Sequence, residues 1–427
     1  MRIAPLGWVV ASTILAVQAW AADAAPTLTL EQALGSAETA NLTVLLSRET
    51  VVQAGESVRI QRAGILPTVD VSSSQRRSRG TSITNRFDVL ANGNYALFNL
   101  QRRSTLRSVR LGSEISQANY QFTVQTVMAD IADAYFAHLR NLRRLTVLDS
   151  NIARARSLFD LARNQFEVGT VPQIDVTRAE SQVAVAEQAR LQQETAVQRS
   201  EIFLKRLLDL QLGPEMRLAD FQVRRTDSST SIFTDDKTVF ERRADFLAQQ
   251  KALEQSKVDV RSATFERAPT LSVSGNYGLN STWVDDTDKD KQWSLGVSVG
   301  VPIFDAFRIG ANRRVAQSRQ RSAEYRLHNL ESQISGEIRL AIQDASSRNA
   351  QVTVAEKSLA LAQDELRFAQ QRYQNGVADN RELVEAQNRL AIADDNLVEA
   401  VYQYNLSRVE LARAKGDVRS VLTEQAP

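Results

Sequence analysis

Few side chains in this 427-residue chain have the type and spacing for chemistry. There is no cysteine, which excludes disulfides, zinc-thiolate sites, Fe–S clusters and a cysteine nucleophile. The two histidines, His138 and His328, lie far apart in unlike contexts. That argues against a histidine metal site or catalytic triad within one chain. Asp285, Asp286, Asp288 and Asp290 resemble half of a Ca²⁺ loop, without its central glycine or closing glutamate. They read as a solvated loop between strands. Asp175, Glu382 and Glu385 each follow a glycine, Gly169 or Gly376, within two helical turns. Asp379-x-x-Glu382 has the form of a helix-start box, and acids are favoured in a first turn. Glu385 sits one turn deeper and is less simply explained. No glycine-rich phosphate loop is present. These residues yield no catalytic constellation, metal site or cofactor, so no enzyme activity is expected.

The surrounding composition narrows the class further. Fifty-two Lys and Arg against 50 Asp and Glu leave +2, no excess for binding nucleic acid through bulk charge. Eight prolines and 17 glycines are few for this length and suggest long helices with few loops. Residues 1–21 carry a charged start at Arg2, an apolar stretch from Leu6 to Val17, and Ala19-Trp20-Ala21 as a small-x-small cleavage pattern. Cleavage is expected after Ala21, with Ala25 as second choice. No other stretch has the apolar length of a transmembrane helix.

The rest of the chain repeats itself. Gln165-Phe166-Glu167-Val168-Gly169 returns as Arg372-Tyr373-Gln374-Asn375-Gly376, 207 residues later. Ala96 to Asn99 returns at Pro302 to Asp305, Pro67-Thr68 at Pro269-Thr270, and Leu212-Gly213 at Lys415-Gly416. Before each glycine turn runs a 3-4 apolar repeat. It comprises Leu145, Leu148, Ile152, Ala155, Phe159, Ala162 and Phe166 in the first copy. In the second it comprises Val352, Ala355, Leu359, Ala362, Leu366, Ala369 and Tyr373. After the turns the seam resumes through Val176, Ala179, Val183 and Ala186, matched by Leu383, Ala386, Leu390 and Ala393. Large and small residues alternating on one seam favour close antiparallel helices.

Helices are therefore expected at about 31–64, 101–168, 172–211, 239–266, 308–375 and 380–415, with 213–237 as a non-helical belt. By length, two long helices are each matched by a stacked pair of shorter ones, 380–415 with 31–64 and 172–211 with 239–266. The domain reading is a signal peptide 1–21, a first repeat 22–212, a linker 213–238 and a second repeat 239–427.

Each repeat opens with a strand pair, 67–98 and 268–304, apolar on one face and small or polar on the other. Such strands suit a membrane barrel with a wet lumen. Four strands are too few for a closed barrel, so several chains must combine. Trp283 and Trp293 suit an aromatic girdle, and Arg76, Arg77 and Arg79 could touch anionic headgroups or blunt a strand end.

The mature chain resembles the outer membrane efflux protein family, the TolC-like channels. The marks are Leu28-Thr29-Leu30-Glu31-Gln32-Ala33-Leu34, Leu66-Pro67, Ala244-Asp245-Phe246-Leu247-Ala248, Ala268-Pro269-Thr270-Leu271, Val301-Pro302-Ile303-Phe304, Val168-Gly169-Thr170 and Leu383-Val384-Glu385-Ala386. Ala244 and Leu42 depart from it, standing where the family tends to have proline. The resemblance implies a mainly α protein with a membrane β-barrel: a homotrimer whose 12-stranded outer membrane barrel continues into a periplasmic α-helical tunnel. It implies a passive exit duct partnered by a periplasmic adaptor and an inner membrane transporter. It implies adaptor docking at Val168, Gly169, Thr170, Gly376 and Val377, and a periplasmic aperture ringed by Asp175, Glu382 and Glu385. A carboxylate ring would favour cations. In this topology only loops 80–86 and 281–291 face the outside. A periplasmic coiled-coil adaptor is the alternative, weakened by four strands and no lipoyl-like β-domain. An envelope enzyme on a helical scaffold lacks the side chains for it.

Overall fold

A computed structural model describes residues 27–80, 83–213, 216–221, 225, 236–375, 377 and 380–424. The signal segment lies outside them.

The chain enters through β1 (Thr27–Leu28), then α1 (Leu30–Ser36) and α2 (Leu42–Ala63). The strand pair β2 (Thr68–Arg79) and β3 (Ile83–Phe98) leads into the long α3 (Leu100–Glu167) and α4 (Gln173–Leu207). After β4 (Arg217–Leu218) and α5 (Asp236–Arg242) the pattern returns. It runs through α6 (Ala244–Phe265), β5 (Thr270–Ser281), β6 (Asp290–Gly300), α7 (Arg308–Gln374) and α8 (Asn380–Ala414), ending in a 3₁₀ segment (Val418–Glu424). The corresponding lengths are nearly equal: 22 and 22, 68 and 67, 35 and 35 residues. At ~1.5 Å per residue each long helix extends roughly 100 Å.

The heptad seam forms as the spacing predicts. Ile152, Ala155 and Ala162 are buried in α3, and Val352, Ala355, Ala362, Leu366, Ala369 and Tyr373 in α7. The copies diverge at the end, where Tyr373 is buried but its counterpart Phe166 is 41% exposed.

Three sequence expectations are corrected. The single helices expected at 31–64 and 239–266 are each broken, at residues 37–41 and at Arg243. The stacking partners are exchanged: α4 runs onto α2 and α8 onto α6. Asn41 caps α2 by accepting from the Thr43 and Val44 amides, while its Nδ2 donates to the Leu207 carbonyl at the end of α4 at 2.8 Å. Arg243 stands before α6, and its Nη1 donates to the Ala414 carbonyl at the end of α8 at 3.3 Å. The repeat landmark also moves. The left-handed residue ending α8 is Gly416 (φ 81°), and its counterpart ending α4 is Asp209 (φ 53°), not Gly213.

The principal core lies at mid-length, where α1, the middle of α3, the ends of α4 and α8 and the 3₁₀ segment meet around Leu34, Met128, Ile131, Tyr135, Phe136, Leu204, Tyr404 and Val421. There β1 and β4 pair in parallel, and the Tyr135 hydroxyl lies 3.2 Å from the Leu28 carbonyl and 2.5 Å from the Ala219 carbonyl. Part of the expected 213–237 belt is thus a strand, and α5 begins inside its far end.

One antiparallel sheet joins both strand pairs in the order β2-β3-β5-β6. Val71, Ala91, Tyr277 and Trp293 line up across one face, while Asp70, Asn92, Asn276 and Ser294 line up across the other. The strands run farther than the alternation suggested: β3 begins at Ile83, β5 ends at Ser281 and β6 begins at Asp290, inside the expected outer loops 80–86 and 281–291. Among the described residues no helix is long and apolar enough to cross a membrane.

Candidate functional site

The two hairpin tips lie side by side at the end of the molecule remote from the sheet. A shared core of Leu158, Ala162, Ala179, Leu366, Tyr373 and Leu383 joins them. At the first tip α3 ends in a left-handed Gly169 (φ 77°), and the Thr170 amide returns to the Gln165 carbonyl at 2.9 Å. The Thr170 hydroxyl donates to the same carbonyl at 2.8 Å. No heavy atom lies within 4 Å of a Cβ built at Gly169, so backbone conformation, not space, favours glycine. At the second tip the Val377 amide returns to the Arg372 carbonyl at 2.9 Å, the corresponding bond. Gly376 lies outside the described residues. Val168 and Val377 are 74% and 69% exposed and leave an apolar surface at both tips.

Asp175, Glu382 and Glu385 all lie in the opening turns of α4 and α8, behind those tips. Each has an arginine from its own chain. Arg178 Nη1 meets Asp175 Oδ1 at 3.2 Å, and Arg372 Nε meets Glu382 Oε1 at 3.2 Å across the turn. Arg381 Nε meets Glu385 Oε1 at 3.0 Å, with Arg389 Nη1 at 4.0 Å. Arg389 also bonds Glu365, Nε to Oε2 at 2.8 Å. Each of the three carboxylates is therefore paired with an arginine of its own hairpin. The exposed pairs of Glu382 and Glu385 contribute only ~0.2–1 kcal/mol each, while Asp175 is largely buried.

Two contacts joining the hairpins, through Asn380 and through the hydroxyl of the seam residue Tyr373, were missed by sequence reading. Asn380 is buried, and its Nδ2 donates to the Asp175 carbonyl at 3.1 Å. It is in phase with Leu383, so a polar residue on an apolar seam was the available signal. The Tyr373 hydroxyl bonds Gln165 of the neighbouring hairpin. Burial, and secondarily the Asp175 charge, raise its pKa. The Asp379-x-x-Glu382 box involves Asp379, which lies outside the described residues.

The other candidates fall elsewhere. His138 is buried at mid-length, with Nδ1 2.9 Å from the Ser200 hydroxyl. Burial lowers its pKa; nearby Glu201 opposes and Lys205 assists that shift. His328 is on the surface of α7, 3.6 Å from Glu331. No group of three potential metal ligands occurs among the described residues. In the 282–289 loop, Asp286 accepts from the Trp283 amide at 2.7 Å, a loop-closing bond.

The profile of the family described as Outer membrane efflux protein matches residues 33–209 and 237–417. The chain is 25% identical over 383 residues to Outer membrane protein OprJ of Pseudomonas aeruginosa, covering 84% of this chain and 78% of that protein. It is 22% identical over 384 residues to Outer membrane protein TolC of Vibrio cholerae, covering 85% of each. The crystal structure of the Campylobacter jejuni CmeC outer membrane channel superposes with a TM-score of 0.79 at 21% identity, covering 92% of this chain and 88% of that one. The fold is that of passive channels with a helical tunnel and a β-barrel. Both repeats, the sheet between them and the paired tips fall within these matches, and the chain belongs to the outer membrane efflux protein family.

Proposed function

We propose that this chain is the outer membrane exit duct of a tripartite efflux or secretion system, passively conducting what an inner membrane pump and a periplasmic adaptor deliver. The carrying observation is a four-stranded sheet with both edges, β2 and β6, unpaired and one apolar face exposed. Open edges are not tolerated in lipid, so other copies must complete the barrel. Three copies give the twelve strands of the homotrimer that the family resemblance implies, each contributing repeats 22–212 and 239–427 about the 213–238 belt. The exposed Val168 and Val377, with Gly169, Thr170 and Gly376, form the adaptor-docking tips. Asp175, Glu382 and Glu385 with their arginines form the periplasmic aperture. The sheet also disfavours an adaptor, for which an unclosed membrane-type face has no use.

Crosslinking and native mass measurement of detergent-extracted protein test this directly. The expected result is three chains per particle, found in the outer membrane fraction. A monomer that stays soluble without detergent overturns it. Protease added to intact cells should reach at most residues 80–82 and 282–289. Cleavage near Gly169 would invert the topology.

A further inference from the structure

The charges on the sheet are sorted by face. In the strand register, Arg77 opposes Asn85, Lys291 opposes Leu279, and Arg79 ends β2 on the same face. This is the face of Val69, Val71, Leu295 and Val297, all more than half exposed. Arg77, Arg79 and Lys291 are the only charged residues of the four strands on it, and all three are cations. The acids Asp70, Asp88 and Asp290 lie on the opposite face with Arg76 and Arg86. There Arg86 Nε bonds Asp88 at 2.9 Å, and Asn92 bonds Asp70 at 3.1 Å. The apolar-face cations are exposed and make no ion pair or hydrogen bond with any described residue.

Their position along the strands is equally one-sided. All three lie toward the strand ends remote from the helices: Arg77 and Arg79 share one face of β2, and Lys291, on the opposite edge strand β6, stands level with Leu279, Val89 and Ser73. Trp293, 75% exposed, sits two residues below Lys291 on the same face, a separation of about 7 Å. An aromatic ring followed by a lysine at that spacing marks a lipid interface, with ring at the acyl boundary and ammonium among headgroups.

We propose that Arg77 and Arg79 together, and Lys291 at a separate point on the opposite edge of the sheet, bind phosphorylated glycolipid of the outer leaflet. This rests on the barrel reading, which puts the apolar face in lipid and the helices in the periplasm. The outer leaflet of such a membrane presents sugar-linked phosphates at the depth of these side chains. Guanidinium groups bind phosphate bidentately, while lysine adds a point charge. Arg76, one residue from Arg77 in sequence, belongs to the lumen and takes no part.

The test is native mass spectrometry of the assembled, detergent-extracted protein titrated with bis-phosphorylated lipid A, dephosphorylated lipid A and phosphatidylglycerol. Bis-phosphorylated lipid A should bind in preference to the other two. The triple variant Arg77→Gln, Arg79→Gln, Lys291→Gln should lose about tenfold or more in affinity, and Arg76→Gln should lose none. If the triple variant does not assemble, Arg79→Gln alone should lose about threefold. Equal binding of dephosphorylated lipid, equal binding of phosphatidylglycerol, or an equal loss in Arg76→Gln overturns the site. Trp293 fluorescence, read against a Trp283→Phe background, separates the two levels. Quenching by brominated lipid without phosphate preference rejects the site alone. Quenching by aqueous iodide, with none by brominated lipid, rejects the barrel reading and the site with it.

Discussion

Asn41 and Arg243, 202 positions apart, do the same mechanical job in the two repeats. Each is buried, each precedes the first residue of a 22-residue helix, and each bonds a carbonyl at the end of a 35-residue helix. The two joints differ in chemistry. Asn41 uses one neutral amide for both helix ends. Arg243 uses a guanidinium also held by Asp245 and Glu337, each at 2.7 Å.

The joints should therefore fail unequally. Asn41→Ala removes a cap and should cost about 1–2 kcal/mol. Arg243→Ala leaves partly buried acids without their cation and should cost about 3 kcal/mol or more. Denaturant unfolding of the detergent-extracted protein, followed by circular dichroism, checks the order. A milder effect for Arg243→Ala would show that its ion pairs are incidental.

The left-handed residues that end α4 and α8 predict opposite signs. Asp209→Gly relieves a non-glycine at φ 53° and should stabilise by about 1 kcal/mol. Gly416→Ala adds strain at φ 81° and brings a Cβ to 3.1 Å from the Arg242 carbonyl, so it should destabilise. Melting temperatures of the two variants should move in opposite directions.

If Asp175, Glu382 and Glu385 line the aperture as proposed, their paired arginines alter what a carboxylate ring alone suggests. Replacing Glu382 and Glu385 by Gln strips charge from the partners of Arg372, Arg381 and Arg389. The doubly substituted pore should shift toward anion preference in a planar bilayer, with weaker block by multivalent cations. Arg372→Gln should shift it the other way. Unchanged reversal potentials in correctly assembled protein would place the aperture elsewhere.

His138 gives a pH dependence with a definite sign. Its folded pKa lies below the unfolded value of about 6.5, so the unfolded chain takes up the proton more readily. Its contribution is constant above pH of about 6.5, and stability falls as pH drops from there toward the folded pKa. His138→Gln should flatten this part of the pH–stability curve. A native curve that rises on acidification through that range would contradict the assignment.

The long-range regularities were legible because they are periodic. Val352 to Tyr373 keep one seam over three heptads, and the first copy repeats its phase. The helix breaks at 37–41 and Arg243 were not legible, because neither contains proline, and Ala244 is an ordinary helix former. Asn41 is a local N-cap signal for the first break, but the contacts of both breaks with the ends of α4 and α8 exist only in three dimensions. The same holds for the surroundings of the three acids proposed for the aperture. The positions of Asp175, Glu382 and Glu385 near the glycine turns could be read from the sequence, but the Arg372–Glu382 contact spans a hairpin turn. The divergence of Phe166 from Tyr373 follows from neighbours, since Tyr373 has Gln165 of the adjoining hairpin to receive its hydroxyl.

The unpaired edges β2 and β6 also bear on how the molecule comes into being. Both strand pairs are local hairpins, and β3 with β5 can zip within one chain. No other described strand of that chain satisfies the outer rows of amides and carbonyls. In the proposed multichain barrel the terminal step of maturation is an encounter between molecules, and the half-time of that step should lengthen on dilution even when helix formation is already over. In the interval each protomer carries adhesive borders and an oily flank, the features that invite misassembly and holding by chaperones. On that reading the yield of finished particles should depend on subunit concentration more than on intrinsic helix stability.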